Sequence, residues 1–260
     1  MSKRTREAGF TMIEMMIAMT LGLLLVVVIG QVFVTSKESF RTTEDLSRLQ
    51  ENARFAASQL SRVVRMAGYM TNPLDTPAVV FPVATSQQAI VGTDGGASVA
   101  DQVTVRYQGS GAGTADGTVL DCQGNAIRAG EMAVARFYLA PGANGANALF
   151  CDNTGTVGPS IVAAQVELAS DVENIQVLYG EDTDLDGTAN RYLPAGAGGV
   201  ADFDNVVSVR VALLVRSQGQ VAASVNTNTY DLLGTVVDPV DDRRLRRVYI
   251  STITLRNRAP

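Results

Sequence analysis

The sequence predicts an α+β protein, in which one long N-terminal helix packs on a globular domain built from an antiparallel β-sheet. Three observations carry that prediction. Residues 9–34, GFTMIEMMIAMTLGLLLVVVIGQVFV, form an apolar run with one charged side chain, Glu14. Between residues 46 and 67, Leu46, Leu49, Ala53, Ala56, Leu60, Val63 and Ala67 recur in steps of three and four, the spacing of one helix face. Beyond residue 100 the period falls to two, as in half-buried strands. Helix first and strands after is the α+β order.

The leader and the apolar run set the topology. Lys3, Arg4 and Arg6 precede the run, and no Lys or Arg follows until Lys37. From Phe10 to Val34 a helix spans roughly 37 Å at about 1.5 Å per residue, enough to cross a hydrocarbon core of about 30 Å. The positive-inside rule keeps the basic end in the cytoplasm and sends the rest of the chain outward. A secretory signal has a shorter apolar region and a small-residue cleavage site at its far end, which is not evident after Val34. The expected division is a leader at 1–9, a spanning segment at 10–34, an amphipathic helix at 35–67 and a β-rich domain at 68–260.

Glu14 is costly in such a setting. A carboxylate inside a spanning helix costs about 2.5 to 3.5 kcal/mol on insertion scales unless it is paired or reaches the interface. A cut after Gly9 would place a new ammonium at Phe10, one helical turn from Glu14. The two could pair within one chain or between neighbouring chains.

No Pro occurs before Pro73, so one helix is expected from about Phe10 to Ala67, with Gly68 and Pro73 ending it. Arg48, Glu51, Arg54, Arg62 and Arg65 fall largely off the apolar seam, which suits a stripe packed on the protein's own sheet. The strands expected after it are 102–107 (QVTVRY), 132–139 (MAVARFYL), 173–180 (ENIQVLYG), 206–217 (VVSVRVALLVRS) and 248–257 (VYISTITLRN). Gly-rich stretches at 92–96, 109–117, 142–147 and 196–199 separate them.

Three smaller features bear on chemistry. Cys122 and Cys151 are the only cysteines, and an oxidising compartment together with an even count points to a disulfide. In EDTDLDGTAN, residues 181–190, the spacing of Asp182, Asp184 and Asp186 before Gly187 matches the first half of a calcium loop. Thr188, through its carbonyl, and Asn190 would take the next ligand positions, with Asp202 or Asp204 the nearest source of another. Leu193 stands where an EF-hand has its bidentate Glu, so an EF-hand is excluded. DDRRLRR, residues 241–247, reads as a solvated strand edge guarded by charge rather than a phosphate-binding patch.

Composition argues against catalysis and nucleic-acid binding. Histidine is absent, which removes Ser-His-Asp and Cys-His centres and His-ligated metals. Net charge is −5, and Lys occurs only at Lys3 and Lys37. Neither an enzyme nor a nucleic-acid partner is expected.

GFTMIE, with its basic leader and full span, resembles the cleavage and methylation signal of type IV pilins and type II secretion pseudopilins. SRLQENARFAASQLSRVVRMAGY (47–69) and VYISTITLRNR (248–258) resemble the PilW family of minor pilins. The resemblance implies a prepilin peptidase cutting between Gly9 and Phe10, methylation of Phe10, and Glu14 helping neighbouring subunits register. It implies a minor pilin held in the inner membrane with its head in the periplasm, then carried to the cell surface in a filament. Implied partners are other minor pilins, the major pilin, the assembly machinery and a tip adhesin, in a complex that initiates assembly, with twitching or adhesion as its outlets. Calcium loops occur in the same families. Gln31 stands where many major pilins have Pro, which fits a minor component. A J-type pseudopilin is the nearest alternative, and a membrane-tethered periplasmic enzyme a more distant one.

Overall fold

The structure is a computed structural model that describes residues 10–72, 88–111, 114–153, 164–200 and 202–258. The expected leader, with Gly9, lies outside the described residues. The chain divides into two units, Met1–Glu44 and Asp45–Pro260.

Helix α1 runs Met12–Val64, 53 residues or about 80 Å. Up to Glu44, almost every described residue of it is exposed, including Ile17, Leu21, Leu24, Val28, Val32 and Phe33. By length and composition, α1 contains a stretch able to cross a membrane. From Asp45 onward the helix changes character. Leu49, Ala53, Ala56, Leu60, Val63 and Val64 are buried, following the spacing expected from the sequence. Ala67 is buried beyond the helix end, while Leu46 is only partly so. The helix ends three residues before the expected stop, passing into tighter turns in which Met66 and Ala67 bond the carbonyls of Val63 and Val64. Gly68, at φ +74°, then turns the chain so that its N–H reaches the Arg106 carbonyl.

Among its described residues the head contains two main antiparallel sheets where the sequence suggested one. The first is a meander of five strands: β1 Ile90–Thr93, β2 Gln102–Gln108, β3 Met132–Pro141, β4 Asn147–Asp152 and β5 Gln165–Ala169. The second contains β6 Val172–Glu181, β7 Arg191–Leu193, β8 Val206–Arg216 and β11 Arg246–Thr254, in the order β11-β8-β6-β7. A small hairpin, β9 Tyr230–Leu232 and β10 Thr235–Val237, contributes Leu232 and Val237 to a cluster with Ala212 and Leu214 of β8.

Alternation explains the core. Val209, Val211, Leu213 and Val215 of β8, and Ile175, Val177 and Tyr179 of β6, join the α1 seam in one cluster. Val103, Val105 and Tyr107 of β2, with Ala133, Ala135 and Phe137 of β3, belong to the same cluster. The sheets meet closely at one point, where the ring of Tyr179 passes under β1. A Cβ added at Gly92 would lie 1.8 Å from the Tyr179 hydroxyl oxygen, so only glycine fits there.

Candidate functional site

The start of α1 is organised by a short polar motif. Thr11 and Glu14 form a capping box, in which the N–H and Oγ1–H of Thr11 both donate to Glu14 Oε2 at 2.9 Å. The Glu14 N–H returns a bond to Thr11 Oγ1 at 3.3 Å. Two otherwise orphaned N–H groups of the first turn are thereby satisfied. Thr11 is therefore the capping residue that orients Glu14, missed by the sequence reading although T-x-x-E before an apolar run is its signature. Glu14 Oε1 has no hydrogen-bond partner among the described residues. Phe10 is 93% exposed.

The acidic turn joins β6 to β7. Its carboxylates Asp182, Asp184 and Asp186 each offer an oxygen within 4.8 Å of the others. Asp182 is buried, and its Oδ1 and Oδ2 accept from the N–H groups of Leu185 at 2.7 Å and Gly187 at 2.8 Å. Burial pushes the Asp182 carboxyl up, but these N–H donors outweigh it and hold the group below the usual range. Gly187 at φ +86° supplies the sharp bend. Asn190 Oδ1 is used instead to accept from the Thr183 N–H at 2.6 Å, and the Thr188 N–H and hydroxyl are turned onto Asp186. Asp204 faces Arg258 at 3.4 Å, and Asp202 caps the 3₁₀ turn Phe203–Asn205. The structure thus brings together the three aspartates, and neither Asp202 nor Asp204 joins them. Their donor set is hard oxygen, which fits a calcium-type cation.

Cys122 and Cys151 are bonded to each other, linking the loop after β2 to β4 across 29 positions. Both are buried. Next to the bridge, the buried Asp121 carboxylate accepts from the N–H groups of Gln123 and Asn125 at 2.8 Å and from the side-chain amide of Asn153 at 2.9 Å. One carboxylate therefore holds both sides of the cross-link.

DDRRLRR enters the edge strand β11, as the sequence suggested, but most of its arginines are paired rather than solvated. The Arg246 side chain is fully buried, and it forks onto Glu173 through Nε at 2.6 Å and Nη2 at 3.0 Å. Its Nη1 donates to Asp242 at 2.8 Å. Burial lowers the Arg246 pKa, but Glu173 and Asp242 more than reverse this and raise it. Arg216 reaches both Asp171 and Glu173, while Arg244 donates to backbone carbonyls of Ser217 and Gln218. Arg243 holds the carbonyl of Ala222. Of the four arginines, only Arg247 has no partner among the described residues. Three of the four are thus structural clamps.

The comparisons with known proteins follow the same division. The sequence profile of the family described as Type IV Pilus-assembly protein W matches residues 136–257, which contain β4 to β11 and part of β3. The profile described as Prokaryotic N-terminal methylation motif matches residues 4–30. Among solved structures, a type IV-like pilin from Thermus thermophilus is similar at a TM-score of 0.52 and 18% identity, covering 82% of this chain and 98% of that one. At that identity the likeness is one of fold. No curated protein matches the sequence.

Proposed function

Since this chain is a type IV pilus minor pilin, similar to the PilW family over its C-terminal half, we propose that it works in the complex of minor pilins that initiates assembly and ends near the filament tip. The observation that carries this reading is the first part of α1, apolar on every side, with side chains such as Ile17, Leu24 and Val28 exposed. Such a surface needs lipid first and neighbouring helices later. The family and fold are those of a structural protein, and the proposed work is assembly rather than catalysis. Other minor pilins and the major pilin are its partners, with the head in the periplasm before the filament carries it outward.

Processing sets the assembly step. A prepilin peptidase cuts after Gly9, and Phe10 becomes the methylated N-terminus. The new ammonium then lies next to a carboxylate that Thr11 has already oriented, with Oε1 still open to it. The capping box thus supports an intrachain role for Glu14 as well as a pairing between subunits. Calcium, held by Asp182, Asp184 and Asp186, would neutralise the β6–β7 turn and stiffen it.

Intact-mass analysis of membrane-extracted chain tests processing, and a mature form beginning at Met1 would overturn the reading. Glu14→Ala in cells should leave membrane insertion intact and cut recovery of the chain in sheared filaments. Normal recovery would reduce Glu14 to a helix cap. For calcium, thermal unfolding of the full chain in detergent is compared in chelator and in millimolar calcium. Binding to the folded state alone adds RT ln(1 + [L]/Kd) to its stability and so raises the melting temperature. An equal shift for Asp184→Ala would remove the cation from the account.

A further inference from the structure

The second sheet ends on β11, whose nine residues form the longest free strand edge among the described residues. The register against β8 shows which of its groups face out. The Leu255 N–H donates to Val207 and the Ser217 N–H donates to Leu245, both in line with the β11–β8 pairing. Odd-numbered residues between them therefore bond β8, and Val248, Ile250 and Thr252 turn their N–H and C=O groups away from it. No backbone bond among the described residues reaches these groups. Natural sheets rarely leave so long an edge uncovered.

The edge is also roofed on one side. Ala57 and Leu60 of α1 line a small gap with Val211, Leu213, Tyr249 and Ser251, so the helix lies over the last two strands. Beyond the edge, a groove of about 520 Å³ is bounded by Arg54, Phe55, Ser58 and Ser61 of the helix and by Tyr249 and Ser251 of β11. A strand added to β11 would lie in this groove, with alternate side chains turned toward the helix.

The charge around the groove selects the occupant. Arg54 and Arg65 share one helix stripe, and Arg247 lies on the Tyr249 face of β11. All three are exposed and have no ion-pair partner among the described residues. Among the described residues, Glu51 is the only acid lining the groove. A second copy of this chain would bring two such arginine sets together, whereas an acidic strand would neutralise one.

We infer that the outer edge of β11, under the Arg54–Ser58–Ser61 stripe of α1, receives a β-strand bearing acidic side chains from a neighbouring pilin subunit of different sequence. The inference rests on the minor-pilin reading. Main-chain bonds to Val248, Ile250 and Thr252 hold the added strand, and the arginines choose it.

The test is amide hydrogen exchange of the full chain, alone in detergent and in sheared filaments. Exchange at Val248, Ile250 and Thr252 should slow on the order of tenfold or more in the filament. Thr252→Pro removes an outward N–H while sparing the β8 ladder, and should abolish incorporation where Thr252→Val keeps it. Arg54→Glu with Arg247→Glu should lower incorporation at unchanged melting temperature. Unprotected edge amides in filaments that contain the chain would overturn the inference and leave the minor-pilin reading standing. So would protection that rises with the concentration of the chain alone, since that assigns the edge to a second copy. Failure of the unmutated chain to enter filaments would overturn that reading and this inference together.

Discussion

Residues 12–44 and 45–64 belong to one helix, yet they answer to different solvents. As far as Val34 the first stretch is apolar around its circumference, and up to Glu44 almost every described residue is exposed; the second hides a narrow seam of Leu49, Ala53, Ala56 and Leu60 and shows Arg and Glu elsewhere. Helix propensity does not separate them. The width of the apolar stripe does: a stripe of about 100° fits a sheet, whereas an apolar cylinder fits lipid or a bundle. The seam sets Leu49 and Leu60 on either side of Ala53 and Ala56, a mix of large and small residues that lets helix and sheets fill one core without voids.

The largest test of that contrast exchanges one leucine in each stretch for aspartate. Leu60→Asp places an unpaired charge in the core, and the head should fail to fold, seen as loss of near-UV dichroism and of protease resistance. Leu24→Asp should leave the head's melting temperature unchanged but reduce membrane insertion, at a cost of about 2.5 to 3.5 kcal/mol near the bilayer centre. If both variants lose the head, the two stretches do not fold independently.

A second test asks whether the head's charges are as essential as its apolar seam. Removing one partner of a buried ion pair typically costs about 3–5 kcal/mol, so Arg246→Met or Glu173→Gln should unfold the head at markedly lower denaturant concentration. The double change should recover part of the loss. Effects under 1 kcal/mol for each single variant would mean that water reaches the pair.

Next comes the disulfide. Its loop of 29 positions corresponds to about 3–4 kcal/mol in the chain-entropy model, which Cys122→Ser with Cys151→Ser should remove. Membrane insertion should not change.

The smallest expected effect is a pH dependence confined to the head. Asp101 is buried between the N–H groups of Gly95 and Val177, with the Asp94 carboxylate close by. Burial raises its pKa from 3.8 to about 6 against the pull of those donors. A carboxyl raised on folding binds more protons in the native state, so stability falls as pH rises from about 4 to about 6 and then levels. Asp101→Asn cannot ionise, so the melting-temperature difference between wild type and variant should narrow or reverse across that interval. A constant difference would show that the donors cancel burial.

The long strands β2, β3, β6, β8 and β11 were legible because alternation repeats often enough to stand out. β7, β9 and β10 are three residues each, too short to show any period. β4, NALFCD, carries its apolar residues without alternation. Missing β4, β1 and β5 is why one sheet was expected and two were found. At the candidate site, Glu14 and the three aspartates were visible as motifs. The clamp at Arg246 was not, because its partner Glu173 lies 73 positions earlier and a charged run does not reveal its counter-ion. Thr11 could have been found, since the capping box is a local pattern.

The close passage of Tyr179 beneath Gly92 bears on how this head can drift over generations. A methyl group at position 92 would lie 1.8 Å from the Tyr179 hydroxyl oxygen and 2.5 Å from the ring carbon that carries it. Removing the hydroxyl alone, as in Tyr179→Phe, leaves the ring clash in place. Only a shorter side chain at 179 opens room for a larger one at 92. The two positions are therefore sterically coupled: a larger residue at 92 requires a smaller one at 179, and making the change at 179 first leaves a cavity.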